Sequence, residues 1–331
     1  MVKKRLAKSQ FCDEDIVLSN RGVIAMFDFK KIFITLSLAS LIFLIPLPTS
    51  AAGGEGGYAG AYLRIGVGAR PLGMGGAFIA LADDATASYW NPAGLGQIET
   101  SQLACMYSLM SMDRMLNLAS YAQPLSKIGT LGFSWLNFGV HDIDGRDAAG
   151  NPTGAFSDSE NAFSLSLGKK LAPALLIGGN LKFLTHKLAS QKATGFGFDI
   201  GAILKIGKEI RIGGTIQDIA SSIKWDTESK LSEEFLTVTK FGISIIPQTI
   251  PIKFSADIEK NAKQNTKYHV GAEYWFKSSI AARIGYNRNH VTAGGSAIFP
   301  ISSVNIQLDY AFSPDVLQQW PTHRMSMIVK F

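Results

Sequence analysis

Cysteine is almost absent from this chain: 331 residues hold two, Cys12 and Cys105. Cys12 precedes the leader segment described below. The processed chain then keeps one thiol, with no internal disulfide and no cysteine at its start to carry a lipid. Charge is sparse as well. Asp, Glu, Lys and Arg make up 18% of the residues, against about 25% in soluble domains. No basic run with interleaved aromatics occurs, which excludes a nucleic-acid surface. Beyond the leader no apolar run approaches the ~18 residues of a spanning helix. Catalytic spacings are missing too. There is no Gly-x-Ser-x-Gly elbow. His141, His186, His269, His290 and His323 are scattered, with no His-x-x-x-His pair and no cysteine partner, so no metal set is expected. The glycine-rich stretch 66–78 misses the dinucleotide register, because the sixth position is Pro71 counted from Gly66 and Phe78 counted from Gly73. No cofactor and no enzymatic activity are expected.

What is present begins with a leader. Lys30 and Lys31 precede an apolar run from Ile32 to Leu47, followed by the small residues Thr49, Ser50, Ala51 and Ala52. This is the pattern of a secretory signal peptide over 26–51. Met26 stands just ahead of Lys30, so residues 1–25 read as an upstream start-site artefact. Removing residues 1–51 lowers the net charge from +6 to about +3.

From about Ser101 onward one pattern repeats: some ten alternating residues, then a turn. Val304, Ile306, Leu308, Tyr310 and Phe312 take one parity, and Ser303, Asn305, Gln307 and Asp309 take the other. Period two is a strand with one oily and one wet face. Fourteen such strands can be placed between 100 and 331. A membrane protein without spanning helices must close its backbone hydrogen bonds in a barrel, and bacterial single-chain barrels have even strand numbers. The expected fold is therefore all-β, a transmembrane antiparallel barrel over 100–331. The connections after even-numbered strands are short. The two long ones, 141–160 and 220–235, follow strands three and seven, as external loops would. Lys182, Lys205, Arg211, Lys253, Asp257, Glu273 and Arg283 share parity with small polar residues, which places them inward. Each Lys or Arg turned to mid-bilayer would cost about 2–4 kcal/mol. His269 and Glu273 share that inward face. Ile203 and Trp275 are apolar on the inward parity and suit packing against something inside the barrel. Glycines between Gly129 and Gly139 offer a place for a kink in the wall. Asp142, Asp144 and Asp147 cluster in a long connection without the EF-hand spacing. Trp135, Tyr274, Phe276, Phe299, Phe312 and Trp320 fall near strand ends, where interface aromatics belong.

Residues 53–99 differ from the rest. Asn91-Pro92-Ala93-Gly94-Leu95 is a turn in which Asn bonds its own backbone two residues on and Pro92 biases Asn91 away from helix. The stretch Gly68-Ala-Arg70-Pro-Leu-Gly73-Met74-Gly75-Gly76-Ala-Phe-Ile-Ala-Leu-Ala-Asp83-Asp84-Ala, continuing to Asn91-Pro92-Ala93-Gly94-Leu95, resembles the PorV/PorQ family of outer-membrane proteins. That family looks like a branch of the FadL-type barrels. The resemblance implies fourteen strands, with 52–99 folded into the lumen as a plug. It further implies that the terminal Phe331 serves as a signal for the outer-membrane assembly machinery. The environment would be outer-membrane lipid.

Two functions follow from this resemblance. A PorV/PorQ-type structural or type IX secretion-associated barrel, meeting secretion-system proteins or cargo at its external loops, is the expected role. The alternative is FadL-like passive transport, in which a hydrophobic ligand such as a long-chain fatty acid or an aromatic compound crosses the outer membrane.

Overall fold

The computed structural model describes residues 58–314 and 321–331. The leader over 26–51, the preceding 1–25 and Trp320 lie outside the described residues. Among the described residues there are fifteen strands: β1 (Gln102–Leu109), β2 (Arg114–Leu125), β3 (Gly129–Arg146), β4 (Pro152–Ala172), β5 (Leu175–Leu188), β6 (Gln191–Ile206), β7 (Ile210–Trp225), β8 (Ser232–Glu234), β9 (Val238–Ile245), β10 (Ile252–Asn261), β11 (Lys267–Phe276), β12 (Ile280–Asn287), β13 (His290–Ile301), β14 (Val304–Pro314) and β15 (Pro321–Lys330). Fourteen of them form one antiparallel ring. It closes where β1 pairs with β15, with Cys105 opposite Met327. The three-residue β8 stands outside the ring and pairs only with the far end of β7. No helix among the described residues is long and apolar enough to cross a membrane.

The barrel inverts the usual relation between polarity and burial. On β14 Gln307 and Asp309 are buried while Leu308 and Tyr310 are exposed. The same holds around the ring: Phe133, Leu165, Phe196, Phe241, Ile284 and Met325 are all more than half exposed. Lys182, Asp257, Glu273 and Arg283 are buried. Exposed apolar side chains that recur on strand after strand around the ring are not the single isolated patch of a soluble monomer. Together with an even-stranded closed ring they place the chain in the outer membrane, its outer face against lipid.

Two expectations need correction. The long connections 141–160 and 220–235 are largely strand. β3 and β4 continue their ladder to Arg146 opposite Pro152, and β7 runs on to Trp225 beside β8. These extensions are polar on both faces, as in Thr153-Gly-Ala-Phe-Ser-Asp-Ser-Glu160. Above the bilayer both faces meet water, so the ladder continues without an alternating pattern to announce it. The Gly129–Gly139 stretch does not kink the wall either. Its pairing with β2 is continuous, and with β4 it is unbroken from Thr130 to Val140. The wall is irregular instead between β6 and β7, whose register shifts twice around Phe198, where Asp218 and Ala220 adopt positive φ.

The interface aromatics are varied in setting. Tyr274 and Phe276 meet edge to face at 4.5 Å, and Phe312 lies 5.9 Å from the His323 ring. Phe299 is exposed. Trp135 Nε1 donates to Asn161 Oδ1 at 3.0 Å, beside an outward ladder in which Asn137 also donates to Asn161. On β4 the outward run Phe163, Leu165, Leu167 is thus bracketed by Asn161 on one side and the exposed Lys169 on the other. Leu165 sits at its centre. Leu165→Arg is expected to cost about 2–4 kcal/mol of folding free energy in lipid vesicles, measured by reversible guanidinium unfolding; a neutral result would remove Leu165 from the lipid belt.

Candidate functional site

The lumen is filled by the chain's own residues 58–99. Short turns of helix (Ala61–Arg64, Ala69–Gly73, Ala87–Trp90 and Pro92–Gln97) are joined by tight bends. Met74, Phe78, Ile79, Leu81 and Leu95 are fully buried. A 14-stranded ring is too wide for its inward side chains to meet across the middle. This segment supplies the missing core, and two sets of contacts hold it.

The first set is ionic. Arg70 donates from Nε to Glu273 on β11 at 2.8 Å and from Nη2 to the other oxygen of Glu273 at 3.0 Å. Its Nη1 reaches Asp84 at 2.9 Å and also pairs with Asp83. Glu273 accepts in turn from Arg283 Nε on β12 at 2.7 Å, and Arg283 Nη1 lies 3.4 Å from Asp309 on β14. Lys253 on β10 bridges Asp83 at 3.3 Å and Glu273 at 3.4 Å. Burial alone would push the Asp83 carboxyl up. The Arg70 guanidinium and Lys253 reverse this and hold it well below the usual carboxylate range.

The second set is backbone fit. Asp257 on β10 accepts from the Phe78 and Ile79 N–H groups at 2.6 and 2.9 Å. The Gly73 carbonyl accepts from Thr292 Oγ1, and the Gly75 carbonyl from His269 Nδ1. Gly75 has φ +69° and lies against Tyr286, where a Cβ would be 2.5 Å from the Tyr286 carbonyl oxygen. Gly76 follows in the same turn. Asn91 is extended (φ −157°, ψ 106°) ahead of Pro92. Its Oδ1 accepts from Ala93 N at 3.1 Å, and its Nδ2 donates to the Ile79 carbonyl at 2.9 Å. Ala93 packs on Leu176 and Ile203 of the wall. Gly94 presses on Ala82, and Leu95 joins the cluster of Trp90, Ala104 and Ile328. Opposite them, a Cβ on Gly178 of β5 would come within 2.3 Å of the Pro92 carbonyl carbon. The wall has glycine where this turn touches it.

The motif residues from Arg70 to Leu95 therefore converge on one interface between segment and wall. Phe331 lies elsewhere, at the strand-end rim: its N–H donates to the Ser101 carbonyl at 3.0 Å, its ring stacks on Tyr121 and its side chain stays exposed. His269 and Glu273 do not act as a pair. Glu273 is taken by Arg70 and Arg283, and His269 lies near Glu259 at 3.9 Å. Asp142, Asp144 and Asp147 do not converge. Asp144 pairs with Arg146 at 2.6 Å, and hydrogen bonds from Asn151 and Ala149 hold the Asp147 carboxyl below its ordinary range.

Above the segment, toward the β3–β4 extension, lies a cavity of about 280 Å³. Tyr62, Ile65, Leu72, Tyr89, Trp90 and Phe138 form apolar wall. Arg64, Arg114, Lys240, Lys267, Arg288 and Arg324 also line it, as do, among the described residues, the carboxylates Glu160 and Glu259. Glu259 is held by Lys240 at 3.0 Å and Lys267 at 3.3 Å. Arg64 Nη1 and Nη2 are buried without a hydrogen-bond partner among the described residues. Sequence reading missed this site because its residues are spread over 61–324. Inward parity was the one available signal, and it marks a lumen, not a pocket.

Several solved structures share this architecture. The CymD monoaromatic hydrocarbon channel matches with a TM-score of 0.54 at 13% identity, over 80% of this chain and 97% of that one. The toluene transporter TodX of Pseudomonas putida matches with a TM-score of 0.54 at 12% identity, over 80% and 97%. A FadL homologue of Pseudomonas aeruginosa matches with a TM-score of 0.53 at 9% identity, over 80% and 98%. The chain has their fold. No protein-family model and no curated protein matches the sequence. The structural matches overturn the PorV/PorQ resemblance and, with it, the expected secretion role and its cargo-binding loops. The motif behind that resemblance describes how an inner segment seats against a barrel wall, which is a packing requirement and carries no mark of secretion.

Two outcomes test the seating. Arg70→Met leaves Glu273, Asp83 and Asp84 without their shared partner and is expected to cost about 3–5 kcal/mol in guanidinium unfolding of the folded barrel. Gly178→Ala drives a methyl into the Pro92 backbone, with an overpacking cost of about 1–3 kcal/mol. Chymotrypsin should then cut at Phe78, which the unaltered protein buries; unchanged protection would show that the segment does not depend on this contact.

Proposed function

We propose that this barrel carries hydrophobic compounds bearing an anionic group passively across the outer membrane. The observation that carries the reading is the cavity. Its apolar wall suits a chain or an aromatic ring, and the Arg64 guanidinium at its edge suits a carboxylate. The unpartnered Arg64 guanidinium supplies two donors that such a carboxylate would satisfy; a charge-assisted hydrogen bond of this kind contributes about 1.5–3 kcal/mol. The similar structures support transport as the class, since their own descriptions are of a hydrocarbon channel and a toluene transporter. In this chain Arg64 offers a site for a charged headgroup.

Residues 58–99 serve as the plug. A ligand resting on Trp90 and Leu72 cannot pass straight down through the packed segment. The twice-interrupted seam between β6 and β7 supports a sideways exit there. Phe331, exposed at the rim, is the recognition point for the assembly machinery.

The test is uptake by cells that lack their own hydrophobic-compound transporters and express this barrel. Oleate or an aromatic carboxylate should enter faster than in empty-vector cells, and toluene should show a smaller gain. Arg64→Glu should weaken carboxylate binding to the purified barrel by roughly 10- to 100-fold, the equivalent of about 1.4–2.8 kcal/mol. Equal gains for toluene and oleate, with no effect of Arg64→Glu, would remove the anionic headgroup. No gain for either would remove transport.

A further inference from the structure

A second group of side chains lies at the external mouth of the lumen, on strand ends, two of them in the stretch 141–160 that the sequence presents as loop. Asp158 and Glu160 are two residues apart on β4 and share its inward face. His186 on β5 is the direct cross-strand partner of Glu160. Ligand atoms of the three lie within 4.8 Å of one another. His186 Nε2 is 2.7 Å from Asp158 Oδ1. The Glu160 carboxylate is half-buried and makes no hydrogen bond or ion pair among the described residues. The surroundings position the imidazole. The Trp225 ring lies 4.8 Å from it, and Trp225 Nε1 is itself anchored to Glu233 Oε1 at 2.9 Å. Glu233 adds a third negative charge acting on Glu160, against His186 and Arg64 as the opposing charges.

We propose that Asp158, Glu160 and His186 bind one divalent transition-metal ion of the zinc class. Two like-charged carboxylates and an imidazole brought together by strand pairing form a mixed oxygen and nitrogen donor set. The imidazole selects against Ca²⁺ and Mg²⁺, which prefer all-oxygen sites. Zn²⁺ takes nitrogen at about 2.0–2.1 Å and carboxylate oxygen at about 2.0–2.2 Å. Rotation of the three side chains reaches these lengths, because the β4–β5 ladder already holds their backbones in register. Three protein ligands leave one coordination position open to the lumen. Glu160 also lines the cavity, so a bound ion adds positive charge to that wall. The site does not depend on the transport reading, and its test reads metal alone.

The experiment uses the folded barrel in detergent micelles, with folding verified by heat-modifiable migration on gels. Co²⁺ titration should produce visible absorption bands that Zn²⁺ abolishes, at one ion per barrel. His186→Gln and Glu160→Gln should each weaken Zn²⁺ by ~10- to 100-fold or more, whereas His141→Gln, at an exposed position on β3, should leave it unchanged. X-ray absorption of the unaltered Zn²⁺-loaded protein should show a single imidazole with oxygen neighbours, which needs no variant to fold. Absence of Co²⁺ bands, affinity undiminished in both variants, or a spectrum with sulfur or several imidazoles would each overturn the proposal.

Discussion

Everything in this molecule follows from the need to pair backbone N–H and C=O groups where there is no water to receive them. An unpaired group in hydrocarbon costs several kcal/mol. A sheet meets that demand only by closing on itself, and here β1 returns to β15 to do so. Once the ring is closed the side chains are sorted by pleat alone. One parity faces lipid and must be apolar; the other faces a lumen that tolerates and concentrates charge. Buried arginine, glutamate and lysine beside exposed phenylalanine are the direct consequence.

Closure creates a second demand. The ring encloses a space that inward side chains cannot fill, and residues 58–99 fill it. Their anchorage joins a charge network with close backbone contact. Arg70 ties two acids of the segment to Glu273 of the wall, and from there the chain of contacts runs through Arg283 to Asp309. Breaking such a network from one side leaves buried charge without a partner, which costs more than the intact network contributes. Glycine on the wall lets the Asn91–Leu95 turn approach to backbone distance. The segment is held in place by several weakly coupled devices, not by one contact.

The cavity above the segment and the group at the mouth differ in sign. Among the described residues around the cavity, cationic side chains outnumber acids, and they sit beside aromatic surface. At the mouth, Asp158, Glu160 and Glu233 concentrate negative charge around His186. Glu160 belongs to both. The opposed fields meet within one lumen because neighbouring strands deliver inward residues of either sign to the same depth, screened from each other only by short distances of protein.

The sequence by itself determined the barrel. Alternation, the even strand count, short turns on one side and the parity of charged residues are all local or periodic properties, and a two-residue repeat leaves each strand only one orientation compatible with lipid. It also marked Arg70, Asp83, Asp84 and Asn91–Leu95 as unusual, through their density of glycine, turn and charged residues. It did not determine what those residues touch. Strand pairing brings Glu160 opposite His186, and closure places Arg64 and Arg324 in one cavity although 260 residues separate them. The loop readings at 141–160 and 220–235 failed for a related reason: above the bilayer no second solvent forces alternation, so strand and loop look alike. The family reading failed because a motif that seats an inner segment is a packing solution open to barrels of different function. Which groups converge, and with what net charge, was decided only when the ring closed around the segment.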